Sequence, residues 1–571
     1  MKKRAIIPLG LPVLTLAACH QAVDRPNIIF FLVDDFGWMD TQVPFGPEVY
    51  PENGRHNTPN FVQMAADGCI LTNAYACPLS SPTRSSILTG VNSSRTHITN
   101  FLGSVRGTET AYPTPDSSTT VGMTGGEVAM TEKPVGMTER TWSPGGCLDT
   151  PEWAVNGVNP AIPGSSDNIE QSFYGTVYPR LLKDNGYFTV HVGKAHWATA
   201  GTPGSSPYNM GFVVNVAGGV VEFSKCGYRS EDNYGNIKDG RGIPFTPHNL
   251  MEYYGTGTHL TEALTREALK ALEYPLQEKK PFYLFLSQYA VHTPIQDDPR
   301  FIQKYLDAGM DVGQARFASM VEGVDVSLGE IRAFLKEKGI DKNTVLIVMG
   351  DNGGNSENKS KGGEPHTQNK PLREGKGSCY EGGTRVPMLV CWPGKVAPGT
   401  RINTPVICED LFPTLLHFGG VKDYRTVQEI DGQDLYRLIV DGSRLAASQK
   451  FGSLKEAYEF VIPESVSGID PDRPIVFHYP HQWKPYVLDD IDYLSSIREG
   501  DWKLVYRMRT RELELYNLSE DIGEQHDVAD ANPDIVRRLA SELGSRLRAA
   551  EAPMPTVRGT GETVPYPDRL Q

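Results

Sequence analysis

Residues 27–35, NIIFFLVDD, contain the stretch that decides the fold of this chain. One asparagine is followed by six apolar residues, with no alternation of apolar and polar side chains. A strand with one face in water alternates, whereas a strand that is covered on both faces has a continuous apolar run. Near-continuous runs recur at residues 187–192, 282–287, 344–349 and 386–392, and the clearest helical pattern between them covers residues 258–276. We therefore predict an α/β fold with a large mixed, mostly parallel sheet sandwiched by helices.

The length of the chain and the changes in its residue pattern indicate two structural units. Its 571 residues exceed the roughly 250–300 that one hydrophobic core usually serves. Residues 101–167 are rich in Gly, Thr, Pro and Ser, which predicts long surface loops. After residue 442 the pattern of apolar and polar residues changes. In residues 495–518 apolar and polar residues alternate as in an antiparallel hairpin, and a packing helix is predicted after them. We predict a main α/β domain over residues 25–442 and a smaller C-terminal α+β domain, built on an antiparallel sheet, over residues 443–560.

The N-terminal segment 1–19, MKKRAIIPLGLPVLTLAAC, has the features of an export signal rather than a membrane span. It has a basic start and a short apolar stretch, and it falls short of the ~20 residues that cross a bilayer. Its LAAC ending resembles the lipobox of bacterial lipoproteins, in which Cys19 becomes the lipidated first residue. An ordinary secretory signal is the alternative. We predict an exported lipoprotein, in the periplasm or on the cell surface of a Gram-negative bacterium, that meets the membrane only through its lipid anchor.

The net charge and the cysteine content exclude some kinds of binding partner and some kinds of cross-link. The formal net charge is -14, with acids and bases interspersed, which argues against nucleic acid as a partner. Of the eight cysteines, seven follow Cys19, and their spacing fits neither a zinc knuckle nor a dense disulfide framework. The sequence allows one or two disulfides but does not pair them.

Polar side chains follow four of the predicted strands at the point where each strand ends. They are Asp34, Asp35, Lys194, His196, His292, Asp351 and Asn352. Ligands of open α/β sheets bind beyond the carboxyl ends of the strands, so we expect these side chains to converge on one site. Each has a plainer interpretation when taken alone, since Asp-Asp is often a helix cap, Asp-Asn-Gly-Gly a tight turn and a single histidine a loop residue.

The chemistry of this set points to a hard cation and an anionic ligand. The aspartates and Asn352 offer only oxygen atoms, which suit calcium or magnesium better than zinc. Lys194, Lys376 and Arg84 are candidates for the positive charge that an anion needs beside the carboxylates. Solvated lysine on the surface is the usual alternative for either lysine.

Residues 77–90, CPLSSPTRSSILTG, offer several candidate nucleophiles. These are Cys77, Ser80, Ser81, Ser85 and Ser86. Pro82 just inside a predicted helix start and Gly90 just beyond its end place Ser80 at the helix N-terminus, where backbone N–H groups favour an anion. A capped helix without a catalytic role remains the alternative at this point.

The same stretch resembles the signature of the sulfatase family, which is part of the alkaline-phosphatase superfamily. That signature is Cys or Ser, any residue, Pro, any residue, Arg, then Thr-Gly a few positions later. It is matched here by Ser80-Ser81-Pro82-Thr83-Arg84 with Leu88-Thr89-Gly90, and only Ser80 fits the register. The resemblance extends from residue 25 to the C-terminal hairpin, with its motifs in family order.

The resemblance implies a cofactor set and a maturation partner. Ser80 would be oxidised to formylglycine, and the serine form of the motif is similar to the type converted by an oxygen-independent, anaerobic sulfatase-maturating enzyme. Calcium would be bound by Asp34, Asp35, Asp351, Asn352 and residue 80. Arg84 would orient the formylglycine, while Lys194 and Lys376 would hold sulfate oxygens. The further serine that contacts sulfate in some members has no match that we can place.

The resemblance also implies hydrolysis of a sulfate ester by double displacement. A hydroxyl of the hydrated formylglycine would attack sulfur, His292 would protonate the departing sugar oxygen, and His196 would deprotonate the second hydroxyl so that sulfate leaves and the aldehyde re-forms. Two other readings stay open. One is a phosphatase or phosphodiesterase of the same superfamily, which would use an unmodified nucleophile and two zinc ions. The other is a non-catalytic glycan-binding lipoprotein.

For the substrate, exported lipoproteins of this type resemble carbohydrate sulfatases of Bacteroidetes. We predict an exo-acting enzyme on a sulfated glycan that contains galactose or N-acetylgalactosamine, at the 4-position. Candidate sugar-binding residues are His97, His478, His481 and Trp483. A structural role is the alternative for each of them.

Overall fold

The computed structural model describes residues 25–103, 148–162, 167–220, 227–235, 247–355, 369–482 and 490–570. The predicted signal segment 1–19 with Cys19, the predicted sugar contact Trp483, and the cysteines Cys147 and Cys226 lie outside the described residues. Within these ranges, no helix is both long enough and apolar enough to cross a membrane.

The secondary structure alternates between short strands and helices. The strands are β1 Asn27–Val33, β2 Cys69–Leu71, β3 Ala74–Tyr75, β4 Leu148–Asp149, β5 Gly157–Pro160, β6 Ser172–Gly175, β7 Phe188–Gly193, β8 Val214–Val216, β9 Phe282–Ser287, β10 Thr344–Gly350, β11 Met388–Cys391, β12 Thr400–Ile402, β13 Val406–Ile407, β14 Ile475–Tyr479, β15 Leu494–Glu499, β16 Trp502–Arg507, β17 Glu512–Asn517 and β18 Thr556–Val557. The α-helices are α1 Pro59–Asp67, α2 Ser80–Thr89, α3 Ser93–Thr96, α4 Tyr178–Asp184, α5 Leu260–Gln277, α6 Ile302–Asp307, α7 Val312–Glu337, α8 Glu381–Thr384, α9 Leu411–Phe418, α10 Ser443–Ser448, α11 Leu454–Glu459, α12 Glu464–Ser467 and α13 Pro533–Ala549. Every predicted apolar run forms a strand, and the predicted helix over residues 258–276 is α5.

An eight-stranded sheet forms the centre of the molecule, in the order β12-β2-β11-β10-β1-β9-β7-β8. β1 pairs in parallel with β10 on one side and with β9 on the other, and β7 continues the parallel series. β11 runs antiparallel to both β10 and β2, which makes the sheet mixed. The predicted mixed, mostly parallel sheet is confirmed.

The continuous apolar run of β1 is explained by the two cores of this sheet. Ile28 and Phe30 pack into one apolar cluster, together with residues of α2 and α9. Ile29 and Phe31 pack into a second cluster, together with residues of α5 and α7. Successive side chains of a strand point to opposite faces, so both faces of β1 are covered by helices.

A separate antiparallel sheet, β14-β15-β16-β17, lies in the C-terminal part of the chain. It contains the hairpin predicted at residues 495–518, and α13 packs on it through Leu539, Leu543 and Leu547. Phe477 and Leu494 belong instead to the main cluster that includes β1. The C-terminal α+β architecture is therefore confirmed, whereas its boundary at residues 442 and 443 stays a prediction.

Candidate active site

The site is built where the parallel strands β10, β1, β9 and β7 end side by side. Asp351 directly follows β10, Asp34 follows β1 and Lys194 follows β7. At Gly193, with φ of 99°, a Cβ atom would lie 1.8 Å from the Ser287 carbonyl oxygen, so only glycine fits before Lys194. The predicted convergence of strand ends is present in the structure.

Ser80 is the first residue of α2, and its hydroxyl reaches these strand ends. Its Oγ donates to Asp34 Oδ1 at 2.9 Å and to Asn352 Oδ1 at 3.0 Å. The helix has ten residues, all buried, and it ends at Gly90 in the left-handed conformation with φ of 70°. The local geometry thus follows the expectation from Pro82 and Gly90, and it directs the helix N-terminus at the carboxylates.

Two lysines are paired with the aspartates that follow β1. Lys194 Nζ lies 2.5 Å from Asp34 Oδ2, and Lys376 Nζ lies 2.6 Å from Asp35 Oδ1. Asn352 Nδ2 also donates to Asp35 Oδ1 at 2.9 Å. Both lysines are buried. They are therefore part of the site and not the solvated surface lysines of the alternative interpretation.

Arg84 joins three strand ends from the next turn of α2. Its Nε and Nη2 donate to Asp351 Oδ2 at 3.0 and 2.7 Å, and its Nη1 donates to the Lys194 carbonyl at 2.9 Å and to Ser287 Oγ at 2.5 Å. The side chain is fully buried. These bonds fix the guanidinium in one orientation, so Arg84 holds α2 against the sheet.

The donor set fits a hard cation. Oxygens of Asp34 and Asp35 and a ring nitrogen of His292 lie within 4.8 Å of one another. Asn352 and Ser80 add two more oxygens beside Asp34. A buried group whose atoms are mostly carboxylate, amide and hydroxyl oxygens suits Ca²⁺ or Mg²⁺. The structure thus brings together the residues that the sequence predicted as metal ligands.

The electrostatics of Asp34 and Asp351 differ. Burial opposes ionisation of Asp34, but the neighbouring cations, Lys194 foremost, hold its pKa well below the usual value. Burial, together with the charge of Asp34, raises the pKa of Asp351 to about 6. Burial lowers the pKa of Lys194, whereas the aspartates raise the pKa of Lys376 against the effect of burial. These pKa shifts favour the charged forms of Asp34 and Lys376.

His292 lies on the loop after β9, and its Nε2 is 3.6 Å from Asp35 Oδ2. With a side chain 14% exposed, it is the more open of the two histidines predicted for catalysis. The hydroxyl of Tyr228 donates to the carbonyls of Tyr289 and His292, which supports the loop. Burial and the charge of Lys376 lower the pKa of His292 to about 3, so an anion bound beside it would favour its protonated form.

His196 lies beside Ser81, which directly follows the candidate nucleophile. Its Nε2 lies 3.0 Å from the Leu102 carbonyl oxygen, and Ser81 Oγ lies 3.2 to 3.3 Å from the ring nitrogens. Leu102 N–H donates to the same Ser81 hydroxyl at 3.1 Å. Burial lowers the pKa of His196 well below its usual value, and Lys194 acts in the same direction. The ring is therefore neutral and held by protein contacts.

The histidines predicted to bind sugar are used by the protein itself. His478 is buried, with Nδ1 2.6 Å from Ser495 Oγ and Nε2 2.8 Å from the Pro553 carbonyl. His481 is buried and contacts Thr99 Oγ1 at 2.7 Å. His97 Nε2 contacts the Ala550 carbonyl at 3.0 Å. These contacts give the three side chains structural roles, and sugar binding by them stays a prediction.

Two further residues of the site were missed by the sequence reasoning. Ser287, the last residue of β9, accepts the Arg84 hydrogen bond, and the strand-end rule that identified Asp34 could have identified it too. Ser81 holds His196, but it is one of five candidate nucleophiles in its stretch, and nothing in the sequence separates this role from the others.

Comparisons with known proteins show which proteins this chain is similar to. The family model described as Sulfatase matches residues 26–115 and 156–421. A protein of Formosa agariphila described as a sulfatase is 26% identical over 100% of this chain and 98% of its own length. The N-acetylgalactosamine-6-sulfatase of Rattus norvegicus is 29% identical over 76% of this chain and 70% of its own. Among solved structures, Ps i-CgsB in complex with k-i-k-neocarrahexaose superposes with a TM-score of 0.63 at 24% identity, covering 92% of this chain and 93% of that one.

Proposed function

Because this chain belongs to the sulfatase family, we propose that it removes sulfate from a glycan that contains galactose or N-acetylgalactosamine, with residue 80 as nucleophile. The chain is a sulfuric ester hydrolase. The observation that carries the proposal is the position of Ser80 at the first turn of α2, bonded to Asp34 and Asn352. No other serine or cysteine of residues 77–90 is placed against these two side chains by a described contact.

The surroundings of Ser80 suit an anionic ester. Lys194, Lys376 and Arg84 are buried beside the strand ends, and each is paired with an aspartate that a bound cation would also contact. A cation would take over part of the aspartate charge, which would leave the lysines free to hold sulfate oxygens. The N-terminus of the ten-residue α2 adds backbone N–H groups that favour an anion.

Two groups complete the proposed chemistry. Asp34, Asp35, Asp351, Asn352 and residue 80 would hold a calcium ion, whose charge would stabilise the negative charge that develops on sulfate oxygens. A formylglycine made from Ser80 would supply, as its hydrate, one hydroxyl that displaces the sugar oxygen from sulfur and a second that lets the aldehyde re-form as sulfate leaves.

The proton transfers fall to two histidines. His292, on the more open side of the site, would give a proton to the departing sugar oxygen. His196 would take the proton of the second hydroxyl. Its Nε2 is engaged by the Leu102 carbonyl, which would leave Nδ1 as the basic nitrogen. Arg84, fixed by Asp351 and Ser287, would orient residue 80.

The sequence and the mammalian relatives point to different positions of the sulfate group on the sugar. The sequence prediction is the 4-position, whereas the mammalian relatives are named for N-acetylgalactosamine 6-sulfate. We therefore propose a 4- or 6-sulfated galactose-type sugar. Galactose and N-acetylgalactosamine monosulfates at each position, with release of inorganic sulfate as readout, separate the two.

Export on a lipid anchor is proposed together with this activity. A polymeric glycan cannot enter the cytoplasm, and the lipobox-like ending at Cys19 is the feature that supports an anchor. Mass spectrometry of the mature N-terminus tests it. A lipid-modified Cys19 supports the anchor, whereas a chain that begins at another residue contradicts it.

The deciding experiment is mass spectrometry of the peptide that contains residue 80, combined with turnover. The protein is made with a serine-type maturating enzyme, and loss of two hydrogen atoms at Ser80 together with sulfate release is the expected result. Ser80→Ala should abolish turnover. Ser85→Ala is the matched control, because Ser85 lies on the same helix and its hydroxyl has no hydrogen-bond partner among the described residues. Unmodified serine with no turnover in fully matured material, or an active Ser80→Ala variant, contradicts the proposal.

A further inference from the structure

Two buried thiols are in contact beside α2, the helix that begins at Ser80. Cys77 Sγ and Cys408 Sγ lie 3.9 Å apart, and they come from positions 331 residues apart in the chain. The side chains are 2% and 0% exposed. α2 packs against the short 3₁₀ helix Cys408–Asp410, which brings the two cysteines together.

Both backbones are fixed on either side of this contact. Cys77 N–H donates to Thr83 Oγ1 at 2.9 Å, so the residue is tied to the first turn of α2. Ile407 N–H donates to Asp410 Oδ2 at 2.8 Å, and Arg473 pairs with the same carboxylate. A disulfide has a sulfur–sulfur distance of about 2.05 Å, so the two sulfur atoms must approach each other by about 1.9 Å to form the bond.

Of the other described cysteines, Cys379 is the competitor to consider, since burial and, to a smaller extent, the nearby Cys77 thiol raise its pKa. Cys69 belongs to the apolar cluster on one face of the central sheet, and Cys391 belongs to the cluster on the opposite face. Cys379 donates its thiol hydrogen to the Leu494 carbonyl at 3.5 Å. Within the described part of the chain, only Cys77 and Cys408 bring their sulfur atoms into contact.

We propose that Cys77 and Cys408 are joined by a disulfide bond when the protein folds in an oxidising compartment. The thiolate of Cys77 attacks a small-molecule disulfide RSSR, which forms a mixed disulfide and releases RS⁻. The thiolate of Cys408 then attacks the Cys77 sulfur and releases the second RS⁻. Two thiols are oxidised, one disulfide is reduced, and the two protons end on the released RSH molecules.

The bond forms during folding and persists in the native protein. Burial raises the pKa of the Cys408 thiol well above its usual value, and the contact with Cys77 acts in the same direction. The folded dithiol is therefore slow to react, whereas the same thiols are accessible before the core closes. For the same reason a reductant in solution does not reach the completed bond.

The cross-link stabilises the loop that carries the nucleophile. Pro78, the next residue, accepts a hydrogen bond from Gly377 N–H at 2.8 Å, and Gly377 directly follows Lys376. A bond at Cys77 therefore holds the entry to α2 and, through Pro78, the segment that carries Lys376. The expected effect is resistance to thermal inactivation, because the cross-link constrains the unfolded chain over a long loop.

The test is a map of free and bonded cysteines in the full chain, made once by export into an oxidising compartment and once in a reducing cytoplasm. Each preparation is denatured without reductant, alkylated and digested. For the exported protein we expect a peptide pair that joins Cys77 to Cys408 and separates on reduction, with Cys69, Cys379 and Cys391 alkylated. Alkylation of both Cys77 and Cys408 in the exported protein, or a bond from either to another cysteine, overturns the proposal.

Thermal unfolding supplies a second readout that does not require turnover. In the exported protein, Cys408→Ala should lower the melting temperature by several degrees, and adding Cys77→Ala should lower it little further, because the first change already removes the cross-link. In the reduced protein each single change should lower the melting temperature less than Cys408→Ala does in the exported protein, because there is no cross-link to lose. Cys379→Ala is the matched control, since it removes a buried thiol without removing the bond. Additive losses in the exported protein contradict the cross-link.

Discussion

Lys503 provides a sharp test of how the C-terminal sheet is joined to the main domain. It is fully buried, and its Nζ lies 2.9 Å from Glu381 Oε1 and 2.9 Å from Glu524 Oε1. Lys503→Met removes the cation between two buried carboxylates. Glu381 keeps Arg385 at 3.1 Å and the Tyr75 hydroxyl at 2.7 Å, so the cost falls mainly on Glu524.

The magnitude follows from leaving one buried carboxylate without its cation. Removing one partner of a buried ion pair costs about 3–5 kcal/mol, and we expect a loss of this size in the free energy of unfolding at pH 8.5. Burial opposes ionisation of Glu381, but Lys503 and its neighbouring arginines outweigh it and lower its pKa to about 2. Burial raises the pKa of Glu524 to about 7 despite the opposing effect of Lys503.

The sign of the pH dependence follows from Glu524. Its pKa in the folded wild type lies above the unfolded value, so its contribution to stability is present at low pH and is lost as the pH rises towards 7. Without Lys503 this pKa rises further, and the variant keeps losing stability above pH 7. At about 1.4 kcal/mol per pH unit, the loss caused by Lys503→Met should be about 2 kcal/mol smaller at pH 6 than at pH 8.5.

The assay is urea unfolding at pH 6 and pH 8.5, and it requires no maturation of Ser80. Adding Glu524→Gln to Lys503→Met should restore most of the stability at pH 8.5, because the unpaired carboxylate becomes a neutral amide. Lys455→Met is the control, since Lys455 and Glu459 form an exposed pair at 3.6 Å that should contribute little. A loss below about 1 kcal/mol at pH 8.5, an equal loss at both pH values, or further destabilisation by Glu524→Gln refutes this reasoning.

Three predictions concern turnover by the matured protein. Arg84→Lys should lower kcat by about 10²-fold or more, because one ammonium group cannot hold Asp351 and Ser287 together. The control is that the variant and the wild type contain equal amounts of formylglycine. Chelation of divalent ions should abolish sulfate release, and Ca²⁺ but not Zn²⁺ should restore it. Asp35→Asn should raise the Ca²⁺ concentration that is needed for this restoration. Restoration by Zn²⁺ alone contradicts the oxygen donor set. His292→Gln should slow hydrolysis of a sugar sulfate far more than that of 4-nitrophenyl sulfate, whose leaving group needs no proton, and equal losses contradict the acid role.

The parts of the fold and the site that the sequence predicted depend on strong local signals. Residues 27–33 had to be covered on both faces, and the parallel order of the strands then placed Asp34 and Asp351 side by side. Residue 80 was separated from its neighbours only by the resemblance, because five hydroxyls and thiols share one short stretch. A contact between distant segments produces no pattern in the local sequence, so the contact between Cys77 and Cys408 could not be predicted.

Three of the predicted sugar contacts, His97, His478 and His481, show why the partners of a side chain are hard to predict from sequence. Whether a histidine ring faces substrate or a protein carbonyl depends on segments that are far away in the chain. His97 is engaged by Ala550, and His478 is engaged by Pro553, about 453 and 75 residues later. Both partners lie just after α13, so the segment that follows this helix engages Nε2 of each ring.

The C-terminal sheet also supports the segment that carries Lys376, which makes the predicted boundary at residue 442 testable. Ser378 Oγ donates to the Asp490 carbonyl at 2.5 Å, and Ser496 Oγ donates to the Cys379 carbonyl at 3.1 Å. Removing residues 443–570 would break these contacts and expose the part of the main core that Leu494 and its neighbours cover. A chain of residues 25–442 should therefore be insoluble, or soluble without turnover. Expression of this chain with the maturating enzyme measures both. A soluble fragment with wild-type kcat would show that residues 25–442 hold Lys376 in place without the sheet.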